Sequence, residues 1–204
     1  MNQKVSEDLA HIRSMMERSS RFISLSGLSG VGAGVTGLLS GLSAMWLING
    51  RSLDLSNVDT RNLDYELTQS LVILGCITLI VALLFGCYFT VQKSKKLGLK
   101  IWTQTTYKIL QQLAIPLVVG GIFVLALLEH SLHGLVAGTT LVFYGLALIS
   151  VEKYTYSDIK YLGVFEVVLG CISLFWIGKG LLFWTFGFGI LHIIYGIILY
   201  KKYK

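Results

Sequence analysis

A glutamate and a histidine stand out in this chain because each lies well inside a long apolar stretch. Glu166 lies 13 residues before Lys179, and His192 lies 13 residues after it. If Lys179 marks the tip of an antiparallel helical hairpin, equal distances from the tip place both side chains at one depth. Tyr144 lies at a similar depth on the preceding hairpin, and Tyr195 follows His192 by about one helical turn. The spacing therefore predicts a buried polar cluster, and hence a candidate binding site, formed by these four side chains.

The chemistry of such a cluster follows from its residue types. Within a membrane, a carboxylate beside an imidazole can relay a proton or hold a cationic substrate. The structural alternative is a neutral Glu166 that is hydrogen-bonded to its neighbour, or one whose carboxyl reaches an interface. A second group, Glu129, His130 and His133, has a spacing at which a metal could be shared. It lacks the His-Glu-x-x-His order, so we interpret these as loop residues at a headgroup interface and predict no metal and no cofactor.

Six apolar stretches make up most of the 204 residues and determine the expected fold. A helix needs about 20 apolar residues to cross a bilayer, so we predict an all-α polytopic membrane protein with six transmembrane helices in residues 22–200. The predicted spans cover residues 22–48, 71–91, 107–128, 134–150, 161–177 and 181–200. The third is the least regular because Pro116 lies near its start, so a re-entrant segment is the alternative to a full crossing.

Composition excludes several classes of protein. Apolar residues make up 54% of the chain and charged residues only 14%, against about 25% charged in an ordinary soluble domain. The net charge of +6 is concentrated next to the ends of the apolar stretches, where it suits a lipid surface. We therefore expect the lipid bilayer as partner and no nucleic acid. No catalytic triad or phosphate-binding loop is visible, so we predict that the protein is not an enzyme.

The positions of the basic residues predict the orientation. Fourteen of the 17 Lys and Arg residues fall before the first span, in the second and fourth loops, or in the basic tail 201–204. The positive-inside rule then places both termini in the cytoplasm. Residues 1–21 are predicted to form a cytoplasmic amphipathic helix, without a cleavable signal peptide. Its apolar stripe, within residues 5–16, could anchor to the inner leaflet, pair with a second copy or bind a cytoplasmic partner.

Small residues recur at helical spacing in the first span and predict close helix packing. They are Ser26, Gly30, Gly34, Gly37 and Gly41. Because lipid is as apolar as leucine, membrane helices associate where small residues let their backbones approach. The groove that these residues form predicts packing within the chain, or a homodimer through the first span as the alternative.

Two self-alignments of the sequence compete. Gly34 and Gly41 match Gly138 and Gly145 at an offset of 104 residues, and "LGCITL" at 74–79 resembles "LGCISL" at 169–174. Together these matches suggest an inverted repeat of three helices plus three, as found in many secondary transporters. A rival alignment pairs the third and fourth spans with the fifth and sixth.

The stretch "MERSSRFISLSGLSG", Met16–Gly30, resembles the segment that leads into the first span of a group of uncharacterised bacterial multi-pass membrane proteins. The resemblance implies a location in the bacterial inner membrane and supplies no site residue. The function expected from the sequence is a non-enzymatic membrane protein that acts through partner binding or self-association. The alternative is a small proton-coupled or cation transporter that uses Glu166 and His192.

Overall fold

The described part of the chain is entirely helical. The computed structural model describes residues 26–50 and 58–203, and every regular element in these ranges is a helix. The predicted helix in residues 1–21 and the first residues of the predicted first span lie outside the described residues. In chain order the helices are α1 (Gly27–Ile48), α2 (Tyr65–Lys96), α3 (Gln104–Glu129), α4 (His133–Val151), α5 (Ile159–Phe175) and α6 (Gly180–Lys202). A 3-10 turn, Glu152–Tyr154, follows α4, and a π-helical segment, Thr185–Leu191, lies inside α6.

Helix α2 is longer than the apolar stretch from which it was predicted. It contains 32 residues, because polar residues extend it at both ends of residues 71–91. At the start, the Asp64 carboxylate accepts a hydrogen bond of 2.7 Å from the backbone N–H of Leu67. At the end, Lys93, Lys95 and Lys96 occupy the last turn, where cations suit the helix dipole. The predicted boundaries were therefore too narrow.

Helix α3 runs through Pro116 as one helix of 26 residues. It begins where the Thr103 hydroxyl accepts a hydrogen bond of 3.2 Å from the Thr106 N–H. Leu99 and Trp102 lie before its first turn. A re-entrant segment would need the helix to break inside the membrane, and α3 is continuous from Gln104 to Glu129.

Five of these helices are long and apolar enough to cross a membrane: α1, α2, α3, α4 with its 3-10 turn, and α6. Their mean hydropathy ranges from 1.6 to 2.7. Helix α5 is shorter, with 17 residues. At 1.5 Å per residue it measures about 25 Å, somewhat less than the hydrocarbon core of about 30 Å. The structure is thus that of a helical membrane protein, and the sixth crossing remains a prediction.

The helices divide into a central group and two outer helices. Helix α1 packs between α2 and α6, and α4 packs between α3 and α5. Within the apolar part of α1 and α4, 33% and 39% of the residues are buried, whereas in α2 and α3 only 6% are. Helices α1, α4, α5 and α6 therefore form the core, while α2 and α3 turn most of their surface outward.

One end of the bundle, here called the basic face, is held together by a polar network. The Lys93 ammonium donates hydrogen bonds to the Tyr156 hydroxyl (3.3 Å) and to the backbone carbonyl of Tyr203 (3.0 Å). The Tyr156 and Tyr203 rings stack with their centroids 3.9 Å apart. The Asp158 carboxylate accepts hydrogen bonds of 2.8 Å from Tyr203 and Lys202. The network joins the end of α2, the α4–α5 connection and the end of α6, three segments that the charge pattern predicted to share a side.

At the opposite face, the connection before α2 packs against the α5–α6 turn. The Thr60 N–H donates a hydrogen bond of 3.1 Å to the carbonyl of Gly178. Gly178 has a φ of +98°, which favours glycine, and it lies against the side chain of Asp59. Hydrogen bonds from the Arg61 side chain and backbone lower the pKa of Asp59 to about 2. This turn sets where α5 ends and α6 begins.

Candidate functional site

The structure brings Glu166, His192 and Tyr144 together in the centre of the bundle. Glu166 projects from α5, His192 from α6 and Tyr144 from α4. The two side chains that were expected to meet across the hairpin do so, with 3.3 Å between His192 Nδ1 and Glu166 Oε1. Glu166 is 0% exposed and His192 only 5% exposed, so the contact is shut off from the surroundings. We call Glu166, His192, Tyr144 and Tyr195 the core cluster.

Both ring nitrogens of His192 are hydrogen-bonded. Nδ1 lies 2.9 Å from the backbone carbonyl of Gly187, and Nε2 lies 2.9 Å from the Tyr144 hydroxyl. A carbonyl oxygen can only accept, so Nδ1 must carry the hydrogen. In a neutral imidazole Nε2 is then the acceptor, and the Tyr144 hydroxyl donates to it. The two contacts together fix the tautomer and the orientation of the ring.

The Glu166 carboxyl, in contrast, has no hydrogen bond to any described residue through either oxygen. The Nδ1–H of His192 is directed at Gly187, so the 3.3 Å approach to Oε1 is a contact without hydrogen-bond geometry. A buried polar group without a partner costs about 1–3 kcal/mol, and more if it is charged. Nearly all buried polar groups in folded proteins are paired. Among the described residues, both carboxyl oxygens of Glu166 therefore lack a hydrogen bond, and they are open to a proton beside His192.

The π-helical segment explains how Glu166 fits. Gly187 lies in this segment and has no side chain, which leaves room for the carboxyl. A methyl group at Gly187 would lie only 2.5 Å from Glu166 Oε2. Short π-helical segments inside α-helices are rare and occur frequently at functional sites. Sequence reasoning missed this segment, because seven residues of ordinary apolar sequence, Thr185–Leu191, give no signal of it.

Aromatic rings cover the cluster on one side. The Phe188 ring lies 4.9 Å from the Tyr144 ring and stacks on His192 at 5.7 Å between centroids. Trp184, one turn earlier on α6, packs on Phe188 at 5.0 Å. These rings exclude water from the hydrogen bonds of His192, so the interactions there occur in a low-dielectric environment.

Tyr195 was predicted to join the cluster, and its position is close to the one expected. It packs with Tyr144 against the same apolar residues, which include Leu148 and Leu162. Its hydroxyl is buried, yet it has no hydrogen-bond partner among the described residues. The sequence did not single out Ser173, which is 0% exposed and whose hydroxyl also lacks a described partner. Its position seven residues after Glu166, on the same helix face, was the available signal.

The small residues of the first span line the contact between α1 and α6, the α1–α6 seam. A methyl group at Gly34 would lie 2.8 Å from the Gly189 carbonyl, and one at Gly37 would lie 2.6 Å from the Phe188 carbonyl. Gly30 faces Gly196, Gly41 faces Thr185, and Ser26 is buried just before α1. Because α6 of the same chain fills this groove, the small residues pack within the chain, which is the first of the two predictions for them.

Neither self-alignment matches glycines that have equivalent contacts throughout. Gly138 and Gly145, the counterparts of Gly34 and Gly41, contact α5 at the α4–α5 seam. An inverted repeat would have α4 present these glycines to α3, the counterpart of α6. Gly75 has nothing within 4 Å, whereas its counterpart Gly170 is packed on Gly138. In the rival alignment Gly121 has nothing within 4 Å and is matched with the packed Gly170. In each alignment one matched pair of glycines thus occupies different environments, Gly75 and Gly170 in the first and Gly121 and Gly170 in the second.

The second candidate group lies at the opposite face and does not assemble. His133 Nε2 lies 3.4 Å from the Thr68 hydroxyl. Within residues 26–50 and 58–203, no three His, Cys, Asp or Glu side chains are placed to hold a metal ion. His133 also borders a shallow groove of about 350 Å³. The other residues that line the groove are Arg61, Asn62, Leu63, Asp64 and Ser131.

The chain was compared with protein-family models, with curated proteins and with solved structures, and no match was found in any of the three comparisons. The geometry of the core cluster is therefore the basis for the functional argument.

Proposed function

We propose that this protein is a small proton-coupled transporter of the bacterial inner membrane, and that Glu166 and His192 bind and release the coupling proton. The observation that carries the proposal is the Glu166 carboxyl, which is fully buried, has no hydrogen bond to a described residue and lies 3.3 Å from an imidazole. Ionisable groups inside membrane proteins are rare, and they mark ion or proton pathways. A purely structural glutamate would be expected to have its hydrogen bonds satisfied.

The cluster has two states that differ by one proton. In the first, Nδ1–H of His192 bonds to the Gly187 carbonyl and the Glu166 carboxyl keeps its own proton. In the second, Glu166 is ionised and Nδ1–H turns to Oε1, which leaves the Gly187 carbonyl free. The second arrangement changes the bonding of the π-helical segment. Gain or loss of the proton thus biases the geometry of α6 relative to α5, which is the coupling that a transporter needs.

The test uses purified protein in proteoliposomes that contain a pH-sensitive dye. Pulses of Na⁺ and K⁺, with and without an imposed membrane potential, should move protons in wild-type vesicles. Glu166→Gln should abolish the proton movement and keep the melting temperature, because this substitution preserves shape and removes no hydrogen bond. Glu152→Gln is the matched control, since Glu152 lies in the 3-10 turn at the basic face and its nearest cation, Lys160, is 3.9 Å away.

Two results together would contradict the proposed function. The proposal is wrong if neither cation moves protons in wild-type vesicles and Glu166→Gln leaves proton binding by the solubilised protein between pH 5 and pH 9 unchanged.

The proposed topology has six spans with both termini in the cytoplasm, so that the basic face is cytoplasmic. Its support is the concentration of Lys and Arg at that face and the network that joins three predicted cytoplasmic segments. Reporter fusions after residue 204 and within the loop at Asp59 test it. A reporter after residue 204 that is active only in the periplasm would contradict the topology.

A second candidate function, binding of a partner protein or of a second copy, has an observation of its own. Helices α2 and α3 are almost unburied within the chain. On α2, Gly75 has nothing within 4 Å, and Cys76 and Cys87 are exposed three helical turns apart. If copies associate through this face, mild oxidation in native membranes should cross-link them. The bond should be lost in a variant with Cys76→Ser and Cys87→Ser, whereas Cys171→Ser serves as the control.

A further inference from the structure

Two tyrosine hydroxyls belong to the core cluster, and of these the Tyr144 hydroxyl is the one bonded to His192. The hydroxyl of Tyr195 is buried and has no hydrogen-bond partner among the described residues. Its ring packs with Tyr144 against the apolar group formed by Leu148, Val151, Ile159 and Leu162. Tyr195 lies one turn closer to the end of α6 than His192, and therefore closer to the basic face. The side chain is thus located between the core pair and that face.

Two groups that flank Tyr195 define both ends of a route. Tyr144 packs with it against the same apolar group on the core side, and Asp158 directly precedes Ile159 of that group, on the side of the basic face. Asp158 accepts hydrogen bonds from Tyr203 and Lys202, both at 2.8 Å. Burial acts to raise the pKa of Asp158, but these two hydrogen bonds lower it overall. Asp158 is therefore an ionised acceptor next to water, and Tyr144 is already bonded to His192.

We infer that Tyr195 relays protons between the basic face and the Glu166–His192 pair through internal water held at its hydroxyl. This inference rests on the proposed function, since it supplies the route by which the coupling proton arrives. Buried water in proteins binds where polar groups lack partners, with about three hydrogen bonds each. The Tyr195 hydroxyl, with Tyr144 on one side and Asp158 on the other, is such a position.

The transfer balances without any further reactant. A solvent proton, carried as hydronium to the water at Asp158, binds the oxygen of Tyr195, which passes its own hydroxyl proton through the water to Tyr144. Tyr144 in turn gives its hydroxyl proton to Nε2 of His192. The imidazolium then shares its Nδ1 proton with Oε1 of the ionised Glu166. Both tyrosines end as they began, and the Glu166–His192 pair has gained one proton.

A proton route from the opposite face is the alternative to the route through Tyr195. From Glu166 towards the opposite face, the buried polar group that follows on α5 is Ser173, two turns or about 10 Å away. Ser173 packs near Gly180 at the α5–α6 turn. If protons arrive from this side instead, Ser173 is the group that the route would require. The two directions therefore have one test residue each.

The experiment measures hydrogen–deuterium exchange of the His192 imidazole N–H by nuclear magnetic resonance. The full chain, labelled with ¹⁵N-histidine, is placed in lipid nanodiscs, and the signal is assigned by its loss in His192→Phe. Removal of one relay group should slow exchange about tenfold or more in Tyr195→Phe, and also in Asp158→Asn. Ser173→Ala should exchange at the wild-type rate. So should Tyr161→Phe, which is the matched control because Tyr161 is 64% exposed on α5.

Tyr195→Phe removes a hydroxyl that has no described partner, so the variant should fold, and its melting temperature is measured first. The inference is overturned if Tyr195→Phe exchanges at the wild-type rate, or if Ser173→Ala causes the larger slowing. The result is independent of any transported substrate. If wild-type vesicles move no protons and Glu166→Gln leaves proton binding unchanged, the proposed function is refuted, and a slowed exchange in Tyr195→Phe would still leave the route standing.

Discussion

The α4–α5 seam and the junction between α5 and α6 both involve α5, yet different kinds of atoms fill them. At the seam, glycines oppose each other across the interface: Gly138 faces Gly170, and Gly145 faces Gly163. At the junction, the carboxyl of Glu166 and the imidazole of His192 meet beside a π-helical segment. The seam has backbone on both sides and no room for a methyl group. The junction has polar atoms that lack hydrogen bonds.

This difference shows which part of the bundle can rearrange. In lipid, helices are held by close packing at small residues, so the α4–α5 and α1–α6 seams should each behave as a rigid pair. The polar junction between the pairs contains the π-helical segment. Under the proposed function it also has two states that differ by one proton. Movement, if the proposed function is right, takes place at the junction and leaves both seams intact.

The largest expected effect is at the α4–α5 seam. In Gly145→Ala the new methyl group would lie 2.5 Å from the Gly163 carbonyl and 2.8 Å from the Val167 backbone nitrogen, and no side-chain rotation can relieve these backbone contacts. We expect a loss towards the upper end of about 1–3 kcal/mol, the range for other overpacked sites. Unfolding of the purified protein in detergent measures it. Gly75→Ala, with open space around the new methyl group, should be neutral, and equal losses in both variants would show that the seam is loose.

Next in size is the loss of the His192 hydrogen bonds. His192→Phe keeps an aromatic ring but leaves the Tyr144 hydroxyl and the Gly187 carbonyl buried without their partner. We expect a loss of about 1–3 kcal/mol, while Glu166→Gln should change stability by less than about 1 kcal/mol because no hydrogen bond is lost. The same unfolding assay compares the two. If Glu166→Gln were the more damaging, the Glu166 carboxyl would have a structural partner outside residues 26–50 and 58–203.

A smaller effect is expected at the basic face and should depend on pH. Hydrogen bonds from Lys202 and Tyr203 lower the pKa of Asp158, even though burial acts to raise it. A lowered pKa in the folded state stabilises the fold above the ordinary aspartate pKa, and that contribution is lost as the pH falls through the lowered value. Asp158→Asn should therefore melt below wild type at pH 7, and the gap should close in acid. A gap that persisted at pH 2 would mean that charge is not the cause.

The smallest effect is expected at the opposite face. Asp59 and Arg61 form a pair whose side chains are 44% and 60% exposed, and exposed pairs contribute little to stability. The pKa of Asp59 is lowered to about 2, so the pair persists through most of the acid range. Asp59→Asn should leave the melting temperature unchanged at physiological salt. A clear loss would show that the pair fixes the α5–α6 turn, and with it the depth of Glu166.

Several parts of the fold were accessible from sequence because they depend on local properties. Apolar length and composition predicted helices able to cross a membrane, and five of them are present. Equal distances from Lys179 predicted that Glu166 and His192 would meet, since depth in a hairpin depends mainly on residue count. The helix ends were less accurate: α2 runs from Tyr65 to Lys96, because the Asp64 cap and the terminal lysines extend it into polar sequence.

Tertiary structure alone decided which surfaces meet. The spacing of Gly34 and Gly41 showed a groove but not what fills it, and α6 rather than a second copy lies there. The alignment of Gly138 with Gly34 suggested equivalent roles, yet these glycines pack on different partners. In the same way, Tyr144 rather than Tyr195 bonds to His192, and Glu166 is left without a hydrogen bond. The chain by itself determined membrane-length helices and the depth of each polar group, because both depend on residue count. The rotation of each helix and its partners depended on the packing of all six, which no single segment encodes.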